Sequence, residues 1–337
     1  MTRGRLIQAA VLLAVGLLIL YGLLRTVHPS QVAAAIRGAS PGWILLGMLS
    51  SLGFVAIRSV RWQVILAASS ETARLSDATA VTSVGFGVNS VSPFKLGELL
   101  RIGMIAQRSG IGVGEAGATV VLERILDVLA LLLLALATAV ISGQRSSAGG
   151  VWSGLALLSA ISLAVGVAAY LMTLNHARTM AIVQSLAGKA PHRLQQPIID
   201  LIQSVLRGLS LLRAPDRFFI SGLLSLLTWI VPTLGLVAYF RSVSQTLPLV
   251  TLYLALTLFV ISQAISVTPA SVGTYEGLFV LILSAFQAGP PSTLTAAAVI
   301  AHVGGIIALV GAAAVGALWL RFSRPPLPVR TERALTS

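Results

Sequence analysis

The sequence contains no cysteine and very little charge. Without cysteine, the chain has no disulfide, no thiolate metal ligand and no cysteine nucleophile. Charged residues make up 10% of the 337 residues, whereas a soluble globular domain carries about a quarter. So few charges do not cover a water-facing surface of this size, and 56% of the residues are hydrophobic, with a mean hydropathy of +0.93. The sequence therefore predicts an integral membrane protein.

Acidic residues are scarcer than basic ones: Asp and Glu total 10, Lys and Arg total 23, and the formal net charge is +13. In a soluble chain this excess would indicate nucleic acid as the partner. In a membrane protein it reflects Lys and Arg retained on the cytoplasmic side, so we expect no nucleic-acid partner. The four histidines are scattered, and no HExxH, acidic metal cluster, P-loop or GxSxG motif occurs. We therefore predict no metal, no cofactor and no local use of ATP.

Six apolar segments are long enough to cross a hydrocarbon core of about 30 Å. Two further apolar regions, Asp77–Gln107 and Leu247–Gln287, are interrupted by Pro, Gly and Glu. Broken backbone at membrane depth persists only where it is buried in protein or lines a wet cavity, so we interpret both regions as re-entrant helical hairpins. Within the second, Leu247–Gln263 alone is the alternative of a complete span. The predicted fold is an all-α polytopic membrane protein, a single domain over 1–320, with spans at Leu6–Leu24, Gly42–Ile57, Thr119–Ile141, Val151–Leu174, Phe218–Phe240 and Thr293–Leu320.

Basic residues are distributed unevenly between the two sides of this arrangement. With the N-terminus inside, 16 of the 23 basic residues lie inside and 4 outside. Because Lys and Arg are retained in cytoplasmic loops, we predict that both termini are cytoplasmic. The cytoplasmic segment 175–217 is predicted to form an amphipathic helix, which either lies on the inner leaflet or packs on its own protein. The basic, Pro-rich tail 321–337 is predicted to be disordered.

The two broken hairpins contain an internal repeat. Ser90–Gly97 reads SVSPFKLG and Ser266–Gly273 reads SVTPASVG, and a glutamate follows each motif. The flanking spans coincide at the same offset, so we predict repeat units 42–141 and 218–320, inverted by the odd crossing of Val151–Leu174. Interrupted helices at corresponding places in inverted halves indicate the substrate site of a transporter. The alternative is two kinked helices in a duplicated scaffold without a ligand, and the breaks fall at Pro93, Gly97, Pro269 and Gly273.

The first break is rich in charge, which is costly inside a membrane. Lys95 lies at the break, and Glu98 and Arg101 are three residues apart on one helical face. Lys95 and Arg101 are candidates to hold an anionic phosphate, with Asn89 beside them. The alternative is that Glu98 and Arg101 only neutralise each other.

A second charged cluster follows in VVLERILDVLALLLL. Glu123 and Asp127 lie one helical turn apart with Arg124 between them, so two acids share one local base. They either pair with Arg58, Arg61 or Arg101 from elsewhere in the fold, or act on substrate or protons directly. For Arg58 and Arg61, which end the second span as RSVRW, an interfacial anchor is the preferred interpretation and phosphate binding the alternative. Glu276 has no basic neighbour in sequence, which makes it the best lone candidate for proton coupling.

These motifs together resemble the flippase-like transmembrane domain of lysylphosphatidylglycerol synthases. The resemblance covers about residues 5–320 and rests on RSVRW, NSVSPFKLGELLR, VVLERILDVLALL and SVTPASVGTYEG. It implies a protein of a bacterial or archaeal cytoplasmic membrane that moves a lipid, or a lipid-linked head group, between leaflets. The family pattern falls on Asn89, Pro93, Gly97, Glu98, Arg101, Glu123, Arg124, Asp127, Pro269, Gly273 and Glu276.

The sequence therefore predicts a lipid flippase or scramblase-like transporter rather than an enzyme, since no soluble aminoacyltransferase domain follows the last predicted span. We expect an anionic membrane lipid as the substrate. The proposed contacts are Asn89, Lys95 and Arg101 with Arg58 and Arg61, and the proposed charge and proton network is Glu98, Glu123, Arg124, Asp127 and Glu276. Two alternatives stay open. One is a membrane-embedded enzyme acting on a lipid phosphate or glycosyl carrier through Glu123 and Asp127, and the other is a non-catalytic partner of a lipid-biosynthesis enzyme that docks through 175–217.

Overall fold

The computed structural model of the protein describes residues 3–68, 73–142, 149–189, 191–263 and 268–323. Within these ranges the chain forms thirteen α-helices and no strand. The predicted all-α class is confirmed for this part of the chain. The helices are α1 (Arg3–Thr26), α2 (Pro29–Arg37), α3 (Pro41–Leu66), α4 (Leu75–Val91), α5 (Leu96–Ser109), α6 (Val113–Ser142), α7 (Gly149–Leu174), α8 (His176–Ala187), α9 (His192–Gly208), α10 (Pro215–Ser242), α11 (Leu249–Ser262), α12 (Thr274–Ala285) and α13 (Pro291–Phe322).

Three helices, α3, α10 and α13, are long and apolar enough to cross a membrane by length and composition within the described residues. They contain 26, 28 and 32 residues, and α1, α6 and α7 contain 24, 30 and 26. Large apolar side chains stay exposed along α3 and α13, among them Leu45, Leu49, Ile307 and Leu318. Many large exposed apolar side chains along long helices are typical of a surface that faces hydrocarbon. The fold is that of a helical membrane protein.

The predicted breaks are present as two helical hairpins. A 3-10 turn at Pro93–Lys95 joins α4 to α5, and another at Pro269–Ser271 precedes α12. Proline cannot continue the α-helical hydrogen bonding, and Lys95 adopts a left-handed conformation with φ of 53°. The helix α11 has 14 residues, which is about 21 Å, so it is too short to be the complete span considered for Leu247–Gln263. Ser266, which opens the second repeat motif, lies outside the described residues.

Close packing places the two hairpins beside the long helices. The helix α3 packs along α10, α4 along α13, and α6 along α11, while the two 3-10 turns contact each other. Glycine makes the α4–α5 hairpin tight, because a Cβ at Gly97 would lie 1.9 Å from the Gly85 carbonyl oxygen. The α3–α10 contact also depends on glycine, since a Cβ at Gly47 would lie 2.5 Å from the Tyr239 ring. The cavity described below lies among these helices.

The helix α3 continues to Leu66, nine residues beyond the predicted end at Ile57. Arg58, Arg61 and Trp62 lie in its last turns and are completely buried. The interpretation of these residues as interfacial anchors is therefore wrong. Buried partners on other helices, which the local sequence does not reveal, hold them inside the protein.

The segment 175–217 forms two helices, α8 and α9, followed by a 3-10 turn at Ser210–Arg213. The end of α9 packs on α6, because a Cβ at Gly208 would lie 2.3 Å from the Glu115 carbonyl oxygen. Leu194 near the start of α9 and Leu201 near its middle are exposed. Packing on its own protein thus holds for the end of α9, while lipid contact for its start stays a prediction. Most of the predicted disordered tail, 324–337, lies outside the described residues.

Candidate functional site

A cavity of about 700 Å³ lies among α3, α4, α6, α10, α11 and α13, beside the two 3-10 turns. Pockets of this size hold small molecules or head groups. One part of its wall is charged, and it consists of Arg58, Lys95, Glu98, Arg124 and Asp127. The rest is mainly apolar and aromatic, with a few uncharged polar groups that include Asn89, Ser90, Tyr239, Thr257, Gln263, Ser271 and His302.

The charged wall belongs to a buried network that we call the arginine cluster: Arg58, Arg61, Arg101 and Arg124 with Glu98, Glu123 and Asp127. Two arginines from α3 meet two acids from α6. Arg58 Nη2 donates to Asp127 Oδ2 at 2.9 Å, and Arg61 Nη1 donates to Asp127 Oδ1 at 2.7 Å. Arg61 Nη2 also donates to Glu123 Oε1 at 3.2 Å. The spacing explains the match, because residues three or four apart on each helix face the same way.

The helix α5 adds the remaining arginine with a buried side chain, Arg101. Its Nη2 donates to Glu123 Oε2 at 2.9 Å and its Nη1 to Glu98 Oε2 at 3.1 Å. The guanidinium also stacks over the Trp62 ring, 4.1 Å from the centroid. Arg124 closes the cluster from its more exposed position, with Nη2 3.1 Å from Glu98 Oε1 and Nη1 3.4 Å from Asp127 Oδ2. Of the alternatives for Glu123 and Asp127, pairing with Arg58, Arg61 and Arg101 is present.

Positive charge is in excess at this wall. The cluster holds four arginines and three carboxylates, and Lys95 adds a fifth cation. Lys95 lines the cavity, and no carboxylate among the described residues lies within 4.0 Å of its amine. An unpaired cation inside apolar surroundings is costly unless an anion or water joins it. The wall is therefore suited to an anion.

Several buried polar atoms on the cavity wall also lack partners. Arg58 Nη1, Asn89 Oδ1 and Gln263 Nε2 make no hydrogen bond within the described part of the chain. All three side chains line the cavity. Because buried polar groups are nearly always satisfied, unsatisfied ones on a cavity wall point to a polar occupant or water.

A second polar group lies on the α12–α13 side of the cavity. Glu276 and His302 are both buried, and His302 Nδ1 lies 2.7 Å from Glu276 Oε1. Glu276 Oε2 accepts the Gly273 N–H at 2.9 Å, which caps α12 at the second break. The Tyr275 ring stacks on the His302 ring with centroids 4.1 Å apart. Glu276 thus has a basic neighbour that sequence distance hides.

The structure divides the predicted substrate contacts into two groups. Arg58, Asn89 and Lys95 line the cavity, as do Glu98, Arg124 and Asp127. Arg61 and Arg101 are completely buried behind them, and their partners within the described part of the chain are carboxylates, a serine and aromatic rings. These two arginines would therefore interact with a substrate indirectly, through the carboxylates that they bind.

Other residues of the site were not anticipated from the sequence. Trp229 Nε1 donates to Asp127 Oδ1 at 3.2 Å, and Ser225 Oγ accepts from Arg61 Nη1 at 2.9 Å. The two residues lie one turn apart on α10, so α10 contributes to a cluster built mainly by α3, α5 and α6. Polar residues one turn apart in an apolar span were the available signal. Phe54 and Phe86 rings flank the Arg58 guanidinium at 5.5 and 5.1 Å.

A family model described as the lysylphosphatidylglycerol synthase TM region matches residues 7–313. The chain belongs to this family. The resemblance drawn from the motifs is thereby confirmed. The lysylphosphatidylglycerol synthase TM region is a membrane region, in agreement with the apolar helices of this fold.

Related proteins align with nearly the whole chain. A UPF0104 membrane protein of Methanothermobacter thermautotrophicus is 21% identical over 322 residues, which cover 91% of this chain and 95% of that protein. A UPF0104 membrane protein of Methanocaldococcus jannaschii is 21% identical over 305 residues, covering 88% and 90%. Glycosyltransferase AglD of Haloferax volcanii is 25% identical over 330 residues, covering 89% of this chain but 51% of AglD. The chain therefore aligns with about half of AglD and with almost all of the two UPF0104 proteins.

Proposed function

We propose that this protein moves an anionic phospholipid, or the phosphate-bearing head group of a lipid-linked compound, between membrane leaflets. The observation that carries the proposal is the charged wall of the cavity. It holds Lys95 and Arg58 with an excess of positive charge, and it lies beside both helix breaks. Phosphate groups are recognised by this combination of Arg and Lys donors. The acyl chains would remain in the lipid outside.

Helix packing supports the inverted repeat on which this mechanism rests. Under the repeat, α3 corresponds to α10, α4 to α11, α5 to α12 and α6 to α13. This correspondence maps observed contacts onto one another. The contact of α4 with α13 becomes the contact of α11 with α6, and the contact of α3 with α10 becomes itself. The two 3-10 turns contact each other as the pseudo-twofold relation requires. In transporters of this type, the substrate site lies at the repeat interface near the bilayer midplane.

In the proposed arrangement, both hairpins are re-entrant and return to the side they entered from. The charge distribution then places both termini and the α8–α9 segment in the cytoplasm. Movement would come from the breaks at Pro93 and Pro269, where Gly97 and Gly273 permit close backbone contacts.

A membrane-embedded enzyme is the second candidate, and it is favoured by the name of AglD, a glycosyltransferase that aligns with this chain over half of its own length. General acid–base catalysis requires a carboxyl group that reaches the substrate. Glu123 is completely buried, and both of its oxygens accept from arginines, Oε1 from Arg61 and Oε2 from Arg101. The geometry therefore supports a structural role for Glu123 better than a catalytic one.

The test is lipid exchange in vesicles of phosphatidylcholine that contain the purified protein and a trace of fluorescent lipid. The probes are phosphatidylglycerol, phosphatidic acid and a polyprenyl phosphate, each carrying the fluorophore on its acyl or prenyl chain. We expect exchange of at least one probe between leaflets, with the probe chemically unchanged. A probe recovered with an altered head group would favour the enzyme, and no exchange of any probe would refute lipid transport.

Lys95→Gln tests the site directly. A charged hydrogen bond to phosphate contributes about 1.5–3 kcal/mol, so loss of the Lys95 amine should slow exchange by about tenfold or more. The matched control is Lys189→Gln, because Lys189 is the other lysine of the sequence and its side chain is exposed after α8. Equal rates for the two variants would contradict phosphate contact at Lys95.

A further inference from the structure

The two repeats carry an acid–base pair at equivalent places. Arg124 and Glu98 are 26 residues apart in sequence, and so are His302 and Glu276. In each repeat the acid lies in the first turn after the break, on α5 or α12, and the base lies on the next long helix, α6 or α13. The first repeat thus holds a permanent cation where the second holds a titratable imidazole.

The His302–Glu276 pair is connected both to the cavity and to the second break. His302 lines the cavity, and its Nδ1 lies 2.7 Å from Glu276 Oε1. The other carboxylate oxygen accepts the Gly273 N–H at 2.9 Å, and Gly273 has φ of +76°. A change of charge on the pair therefore acts on the hydrogen bond that starts α12.

Few titratable groups face this pair among the described residues. Tyr275 stacks on the His302 ring, and Tyr239 from α10 packs against α13, where a Cβ at Gly304 would lie 2.9 Å from its hydroxyl. The helix α11 carries Tyr253, and α2 and α10 carry their charged residues at their ends. The charged side chains that the structure describes on α1, α3 and α4 have other partners. Arg25 bonds Tyr21, Asp77 pairs with Arg108, and Arg58 and Arg61 lie in the arginine cluster.

We propose that the His302–Glu276 pair is a proton-binding site that couples lipid movement to proton movement, an inference that rests on the proposed lipid transport. With a neutral imidazole donating to the carboxylate, the pair has a charge of minus one. One further proton on the imidazole gives an imidazolium–carboxylate pair of zero net charge, like the Arg124–Glu98 pair of the first repeat.

The charge of the pair determines the direction of coupling. An anionic head group in the cavity is repelled by the negative pair and tolerated by the neutral one. Anion binding therefore favours proton binding, and by thermodynamic reciprocity a bound proton favours the anion. One proton then moves with one monoanionic head group in the same direction, and the net charge that crosses the membrane is zero.

The experiment uses the phosphatidylcholine vesicles described above with whichever of the three probe lipids the wild-type protein exchanges fastest. The vesicle interior is set to pH 6.5 and the exterior to pH 7.5, and the leaflet distribution is read from quenching of the outer fluorophore. For one proton per monoanionic lipid, a gradient of one pH unit should enrich the probe in the outer leaflet by about tenfold. Reversing the gradient should reverse the enrichment, and a potassium diffusion potential should not change it.

Three variants separate coupling from folding and from lipid transport. His302→Gln and His302→Arg remove the titratable group, and the arginine reproduces the chemistry of the first repeat. His302→Arg holds the pair at zero net charge, so this variant should still exchange the probe but leave it evenly distributed under the gradient. His302→Gln leaves the Glu276 carboxylate at minus one, so it should slow exchange of the anionic probe and also abolish the enrichment. His192→Gln, at an exposed histidine of α9, should behave like wild type. Rapid wild-type exchange with an even distribution under the gradient would overturn proton coupling and leave lipid transport standing. Enrichment that persists in both His302 variants would also overturn it, and absence of exchange in the wild type would overturn the proposed function itself.

Discussion

Asp127→Asn is the sharpest test of the arginine cluster. The substitution keeps the shape of the side chain but removes one of three carboxylates that neutralise four arginines. Asp127 accepts from Arg58 at 2.9 Å and from Arg61 at 2.7 Å, and it is almost completely buried. The amide group of asparagine would also point a donor at one of these guanidinium groups.

The expected cost follows from the burial of its partners. Arg58 and Arg61 have no exposed surface, so bulk water does not solvate the charge that the missing carboxylate leaves unpaired. Removal of one member of a buried ion pair costs about 3–5 kcal/mol because it leaves an uncompensated charge in a medium of low polarity. Asp127 joins two such arginines, which places the expected loss in the free energy of unfolding near the upper end of that range.

The assay is thermal unfolding in detergent, with Asp200→Asn as the matched control. Asp200 is exposed on α9, and its hydrogen bond within the described residues comes from Gln196 at 2.9 Å, so its substitution should change stability by less than about 0.5 kcal/mol. The double variant Arg58→Met with Asp127→Leu removes one charge of each sign and should recover part of the loss, because apolar replacement of a buried pair is often neutral. If Asp127→Asn and Asp200→Asn unfold at the same temperature, the arginine cluster does not stabilise the fold in the way its geometry indicates.

Two more predictions concern packing and topology. Gly85→Ala should destabilise the protein by about 1–3 kcal/mol and slow lipid exchange, because the added Cβ would lie 2.2 Å from Arg101 Cγ. The control is Gly103→Ala, whose added Cβ would have no neighbouring atom within 4 Å. This control should be neutral or stabilising in the same unfolding assay. The side chain of Arg207 is 56% exposed, so Arg207→Cys should react with a membrane-impermeant maleimide only when the cytoplasmic face is accessible. Labelling from outside would refute the predicted orientation.

The helices and breaks were predictable because their signals are local. Apolar length marks the spans, and Pro with Gly marks the breaks, so Pro93 and Pro269 fell where the 3-10 turns lie. The end of α3 was missed because a hydropathy pattern stops at the first charge. Arg58 and Arg61 continue the helix only because Asp127 and Glu123, more than 60 residues away in sequence, neutralise them.

The partners within the site were less predictable, for the same physical reason. Intramembrane charge is costly, so each charged residue must find a partner, but sequence distance does not say which one. Glu98 and Arg101 were placed together by helical spacing, and they do pair at 3.1 Å. Glu276 has no basic neighbour in sequence, and its partner His302 comes from another helix. Trp229 was also not anticipated, because an indole N–H becomes a functional donor only when a buried acceptor such as Asp127 faces it.

The difference in charge between the two helix breaks gives the strongest link between the fold and the proposed mechanism. A duplicated scaffold would supply two identical charged hairpins, and two permanent ion pairs would hold both halves equally. Here the first hairpin is held by Arg101 and Arg124, which stay charged, whereas the second is held by His302, whose charge depends on protons. In the proposed mechanism, anion recognition and proton dependence would then belong to different sides of one cavity. Under the proposed coupling, a proton on His302 would favour the anion through the charge of the pair, while the ion pairs of Arg101 and Arg124 with Glu98 would stay unchanged.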